Sequence, residues 1–231
     1  MFRTETSESM LYEPMYSAAE VGRLVDLSSV RVRRWISGYS YDYGDIRRRQ
    51  PPIIRHPDSS RTSFASFLDL IDLLFVKKFL EHGISLQKLR KALDEASNIL
   101  QTDHFARSIF FTDGRNVYLQ VKKEGDAILH LLAGGQWVIS DVIRNLAHQI
   151  EFDTLAGLAC RWFPLGPNGL VVLDPLVSFG RPHILMKGVA TSNVYDFFVA
   201  EGKKIRPVCR WLDLTQSEVE AAILFEERLV A

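Results

Sequence analysis

Arginine crowds one short stretch of this 231-residue chain. A guanidinium is planar, charged at all working pH, and presents paired N–H donors that fit a phosphate or the edge of a guanine. Between Tyr16 and Arg61 stand nine arginines (Arg23, Arg31, Arg33, Arg34, Arg47, Arg48, Arg49, Arg55 and Arg61) and no lysine. Five acids oppose them (Glu20, Asp26, Asp42, Asp45 and Asp58), a local surplus of four in a chain whose 28 basic and 28 acidic residues cancel. A polyanion partner needs such a surplus, because release of condensed counterions supplies most non-specific affinity for DNA. Arg31, Arg34 and Ser29 are the candidates for base edges, with Ser28 opening the segment that carries them. Arg33, Arg47, Arg48, Arg49, Arg55 and Arg61 are the candidates for phosphates.

No other chemistry is spaced to work. The six histidines are scattered, and neither HxxH, HExxH nor a paired Cys/His motif occurs. Asp72, Asp94, Asp141 and Asp153 make no recognisable acidic set, and Trp162 and Trp211 read as core. GxSxG, P-loop and GxGxxG patterns are missing from the sequence. The expectation is a chain that is not an enzyme and takes no cofactor and no metal.

The arginines need elements to position them. Ser17 and Glu20 spell a capping box at a helix start, and Val21, Leu24 and Val25 give its apolar stripe. Asp26 and Leu27 make a turn, and Ser28 suits the N-cap of a second helix. On that helix Val32, Trp35 and Ile36 must face inward, leaving Arg31, Arg33 and Arg34 off the core. Gly38 ends it. Pro51, Pro52 and Pro57 forbid helix in the following Tyr- and Arg-rich segment, which reads as a β-wing with a short strand at Ile53–Ile54. Phe64 to His82 predicts a helix, Gly83 a break, and Ser85 to about Leu100 another helix.

Residues 1 to about 14 read as polar and loose at the start. Phe110 to Val121 around Asp113-Gly114 predicts a hairpin, Trp137 to Ile139 a strand, Asp141 to Glu151 a helix and Cys160 to Phe163 a strand. After the turn-rich PLGPNG come a strand at Val171 to Leu173 and a trio of helices. Thr191 caps the first, Ile205, Val208 and Leu212 mark the second, and a Thr215/Glu218 capping box opens a third ending near Arg228. The third helix is acidic (Glu218, Glu220, Glu226, Glu227), which argues against phosphate and for a structural or dimerising role. Lys203, Lys204, Arg206 and Arg210 precede it and leave a secondary backbone contact open.

Composition sets the class. Hydrophobic residues at 47% and charged residues at 24% are ordinary for a globular protein. Two distant cysteines, Cys160 and Cys209, form no disulfide framework and suit a reducing compartment. The N-terminus has no apolar signal region and no run of about 18 apolar residues exists, so the expected location is cytoplasmic, with no membrane partner.

Tyr16–Glu20, Ser28–Trp35, Tyr39–Arg61 and the break His82-Gly83-Ile84-Ser85 together resemble the MerR-type winged helix over roughly residues 15–100. MerR regulators dimerise through a long helix after the winged helix, whereas strand-like sequence begins here near Phe110. RWFPLG (161–166), VVLDPLVSFGRPHI (171–184), VATSNVYDFFVAEG (189–202) and VCRWLDLTQSEVEAAILFEE (208–227) resemble a widespread bacterial domain of unknown function found in VapB-type antitoxins. Gly188-Val189-Ala190-Thr191 stands where many members have Gly-Thr-Arg-Ile. The pairing is similar to VapB antitoxins. It implies a homodimer that binds an operator in double-stranded DNA, neutralises a PIN-domain ribonuclease toxin and represses its own operon. The alternatives are a stand-alone MerR-like regulator with a ligand-sensing middle module, and an adaptor that binds no DNA.

The expected fold is α+β and mostly helical. It comprises a winged helix-turn-helix domain over 1–102, a small β-rich α+β middle module over 103–163 and a three-helix, helix-turn-helix-like domain over 164–231.

Overall fold

The computed structural model describes residues 5–54, 64–100, 104, 106, 146–154 and 156–230. The architecture is α+β, about half helical, with small antiparallel sheets. The chain divides into two compact units, one of residues 12–147 and 154–159, the other of 1–11, 148–153 and 160–231. Arg55, Arg61, the hairpin at 110–121, the strand at 137–139 and the first five residues of the helix at 141–151 lie outside the described residues.

In the first unit, β1 (Tyr16–Ser17) leads into α2 (Ala18–Val25), a tight turn and α3 (Ser29–Ser37). The capping box forms as its spacing predicts. The Glu20 amide donates to Ser17 Oγ (3.2 Å) and the Ser17 amide to Glu20 Oε2 (2.8 Å), a pair that stabilises a helix start by about 1 kcal/mol. The turn depends on close approach. Asp26 is left-handed (φ 52°), the Leu27 amide donates to the Gly22 carbonyl at 2.8 Å, and a Cβ on Gly22 would lie 2.5 Å from the Leu27 oxygen. Val21, Leu24, Val25, Val32, Trp35 and Ile36 are buried, as the apolar spacing requires.

β2 (Tyr39–Tyr43) and β3 (Ile46–Gln50) form an antiparallel hairpin. The strand expected at Ile53–Ile54 is not there. Both isoleucines are buried plugs, and their amides donate to the Trp35 carbonyl at 2.7 and 3.2 Å. β4 (Phe64–Ala65) pairs with β1, then Ser66 caps α4 (Phe67–Glu81). The helix expected from Phe64 thus begins three residues later. Phe67 through Val76 are all buried, so α4 is the central pillar. A helix apolar around its circumference belongs in a core. Gly83 (φ 82°) ends this region and α5 (Leu86–Leu100) follows.

Within the segment that the sequence reads as loose at its start, α1 (Glu5–Tyr12) is helical and Leu11 is buried. In the second unit, the end of the helix expected to reach Glu151 is instead β5 (Ile150–Phe152), paired with β6 (Ala159–Trp162). A bridge from Trp162 to Leu173 leads to β7 (Val171–Val172), which pairs with β8 (His183–Ile184). A three-residue 3₁₀ turn lies at Ser178–Gly180.

Three helices complete this unit: α6 (Thr191–Ala200), α7 (Ile205–Leu212) and α8 (Gln216–Val230). They close on Val194, Val208, Val219, Ala222 and Phe225, with Trp162 1% exposed. Ala190, not Thr191, is the N-cap of α6, and no side chain caps it. The Thr191 hydroxyl instead donates to the Pro182 carbonyl and to Glu226. The Thr215/Glu218 capping box forms. Asp213 repeats the left-handed turn of Asp26 (φ 51°), and each of these aspartates binds a lysine from another element, Lys187 and Lys77. Trp211 is 72% exposed, against the expectation that it is core, because α7 buries Val208 and leaves the adjoining edge uncovered.

Candidate nucleic-acid interface

The structure brings the arginines of α3 and of the β2–β3 hairpin into one continuous local unit. The Ser28 hydroxyl accepts from the Arg31 amide at 3.3 Å, so it is engaged as the N-cap that starts the helix. Ser29 is half-buried, whereas Arg31, Arg33 and Arg34 are exposed. With Val32, Trp35 and Ile36 inward, the 3.6-residue period sets Val30 and Arg34 opposite the core, with Arg31 on one flank and Arg33 on the other.

The hairpin cannot swing freely from its base. Gly38 (φ 71°) turns the chain from α3 into β2, and a Cβ there would meet the Gln50 oxygen at 2.5 Å. At the other end, Arg90 donates to the carbonyls of Pro51 and Pro52 at 2.7 and 3.0 Å, and Ile53 and Ile54 bond to Trp35. Both strands are therefore tied to the C-terminal turn of α3.

The register gives the hairpin two faces. Tyr39 lies opposite Gln50, Tyr41 opposite Arg48 and Tyr43 opposite Ile46, while Ser40 pairs with Arg49 and Asp42 with Arg47. Residues opposite one another share a face, and neighbours along a strand alternate. One face therefore carries three tyrosines, Ile46 and Arg48, and the other carries Arg47 and Arg49 beside a single acid. Every residue from Tyr39 to Arg49 is exposed. The exposed tyrosines and Ile46 are members of the candidate surface that charge arithmetic alone overlooks. Their signal is the period-two pattern Tyr-Ser-Tyr-Asp-Tyr.

Three guanidinia lie over aromatic rings: Arg31 over Trp35 at 5.9 Å, Arg34 over Tyr39 at 5.0 Å and Arg48 over Tyr43 at 4.5 Å. Such contacts contribute about 0.5–1 kcal/mol at exposed sites, enough to bias a long side chain toward one orientation while its N–H edges stay available. The arrangement presents oriented donors, exposed aromatic surface and little opposing charge. That chemistry suits a phosphate-lined groove.

A second cluster is buried in the same unit. His104 Nδ1 is 2.8 Å from Asp72 Oδ2 and 3.9 Å from Asp69 Oδ1, with the Tyr12 ring edge-on at 5.5 Å. The Ala106 amide donates to Asp72 Oδ1 at 2.8 Å, and the Ser66 amide and hydroxyl donate to Asp69 Oδ2. Burial pushes the Asp72 carboxyl above its ordinary value, opposed by the His104 hydrogen bond. The three side chains offer ligand atoms within 4.8 Å of one another, so a divalent cation would fit their chemistry. Each carboxylate also accepts hydrogen bonds from within the protein, and the cluster ties His104 and Ala106 to α4. Sequence spacing could not reveal it, because His104 lies 32 residues from Asp72.

Among the described residues, no helix is long and apolar enough to cross a membrane. No protein-family model matches the chain. It is 22% identical to a Mycobacterium tuberculosis protein, Rv2018, whose crystal structure matches with a TM-score of 0.69 over 92% of this chain and 98% of that one, a likeness that shows the fold. The chain is also similar, at 26% identity over 196 residues, to a Mycobacterium tuberculosis protein named "Putative antitoxin VapB45", covering 78% of this chain and 81% of that protein.

Proposed function

We propose that this chain is a DNA-binding antitoxin of the VapB type, not an enzyme. In this reading α2, α3 and the β2–β3 hairpin act as a MerR-like winged helix on an operator. The remainder binds and neutralises a PIN-domain ribonuclease, and the complex represses its own operon from the cytoplasm. The similarity to a protein named as an antitoxin supports the toxin half. The observation that carries the DNA half is the exposed, aromatic-stacked set Arg31, Arg34 and Arg48 flanked by Arg33, Arg47 and Arg49. Arg31 and Arg34 are assigned to base edges and the others to phosphates. A homodimer would place two such heads on half-sites about one helical turn, ~34–36 Å, apart or a multiple of it.

The exposed acids of α8, Glu220 and Glu227, argue against that helix in the same role, although the turn before it has the geometry of the turn before α3. Co-expression with the product of the adjacent gene tests the antitoxin half. The reading expects a complex that survives size exclusion and suppresses that product's ribonuclease activity. Absence of both would remove the antitoxin assignment.

A further inference from the structure

Two loops of the C-terminal unit hold large apolar side chains almost wholly in solvent on strained backbone. Phe179 is 89% exposed at φ 55° and Met186 is 93% exposed at φ 67°. A bulky residue at positive φ is an outlier, and such strain persists only where the surroundings impose it, most often at functional sites. Here the surroundings are visible. Ser178 Oγ donates to the Gly188 carbonyl, joining the two loops, and Val177 packs on Gly188. Lys187 Nζ donates to the Asp213 carbonyl and carboxylate at 2.7 and 2.8 Å, joining the second loop to the turn that follows α7. Trp211, in the last turn of α7 just before that turn, is 72% exposed, and Leu176 is exposed on the first loop.

From these bonds we infer that Leu176, Phe179, Met186 and Trp211 form a docking surface for an acidic protein. Apolar anchors of this kind, Trp above all, are what the centres of protein interfaces are made of. Charge selects the occupant. Arg181 and Arg210 are exposed and lie close in sequence to Phe179 and Trp211, while the acids of these loops are already paired, Asp213 with Lys187 and Asp174 with Arg161. A second copy meeting this surface about a two-fold axis would set arginines against arginines, whereas an acidic surface would be complementary. The inference rests on the antitoxin reading, with the neutralised ribonuclease as the acidic partner.

The test uses the full-length chain and the protein encoded beside it, with operator affinity and melting temperature measured on the same samples. Phe179→Asn with Met186→Asn removes the apolar anchors and installs a residue that tolerates left-handed backbone. The expected result is a loss of partner affinity of tenfold or more, with unchanged operator binding and an unchanged or higher melting temperature. Arg181→Glu with Arg210→Glu should weaken partner binding comparably and reduce its salt dependence. Wild-type binding that both variants match would overturn the surface and leave the antitoxin reading standing. Failure of the wild type to bind would overturn both. A dimer that becomes monomeric by light scattering when the anchors are removed would assign the patch to a second copy and overturn the acidic partner.

Discussion

Removing the charge of the hairpin's arginine face should change how DNA binding responds to salt, by an amount the structure sets. Arg47 and Arg49 share that face with Ser40 and Asp42, and both are exposed. Replacing them by glutamine therefore costs no packing. Six arginines of the described interface are exposed: Arg31, Arg33, Arg34, Arg47, Arg48 and Arg49. With Arg31 and Arg34 on bases, the other four serve phosphates, and each released contact contributes ~0.9 to the slope of log K against log salt. The four predict a slope near −3.6 per head, falling to about −1.8 in Arg47→Gln/Arg49→Gln. Between 50 and 200 mM salt that difference corresponds to roughly twelvefold in affinity per head. Fluorescence anisotropy on a labelled promoter fragment across this range measures both slopes. A double variant whose slope and affinity equal the wild type's would refute the placement of the hairpin on the phosphate backbone.

Two further outcomes test the scaffold. Gly22→Ala drives a Cβ against the Leu27 carbonyl at 2.5 Å and should cost about 1–3 kcal/mol, read as a lowered denaturation midpoint and weakened DNA binding. The raised Asp72 carboxyl has a signed consequence for pH. The folded state keeps its proton where the unfolded state has lost it, so stability falls as pH rises from the ordinary 3.8 through the folded value and then levels. Asp72→Asn should flatten that dependence in thermal melts, and an unchanged slope would contradict the assignment to Asp72.

How much of this was legible in the sequence depends on the range of the determinant. The caps at Ser17 and Ser28, the Thr215/Glu218 box, the turns at Asp26 and Asp213 and the stripe Val32–Trp35–Ile36 are local, and each forms where its spacing says. Ile53–Ile54 read as strand because β-branched pairs favour it. Their amides are instead taken by the Trp35 carbonyl, a tertiary demand no local pattern encodes. Strands β2 and β3 fall in a run of Tyr, Asp and Arg with no buried face, so no buried apolar stripe announced their bounds. Trp211 illustrates the opposite error. A large aromatic suggests core, but α7 is covered only along Val208, and the uncovered edge is visible only once α6 and α8 are in place. The Asp69–Asp72–His104 cluster likewise exists only after folding brings residue 104 to α4.

Footprinting on the chain's own promoter, comparing wild type with Arg31→Glu/Arg34→Glu, tests the central claim most directly. Both side chains are exposed, so the variant should stay folded and lose only what the two ring contacts contribute, about 1–2 kcal/mol together. The account predicts protection of two half-sites about one helical turn, or a multiple, apart by the wild type and loss of that protection in the variant. No protection by the wild type, or the same protection by both proteins, would contradict it.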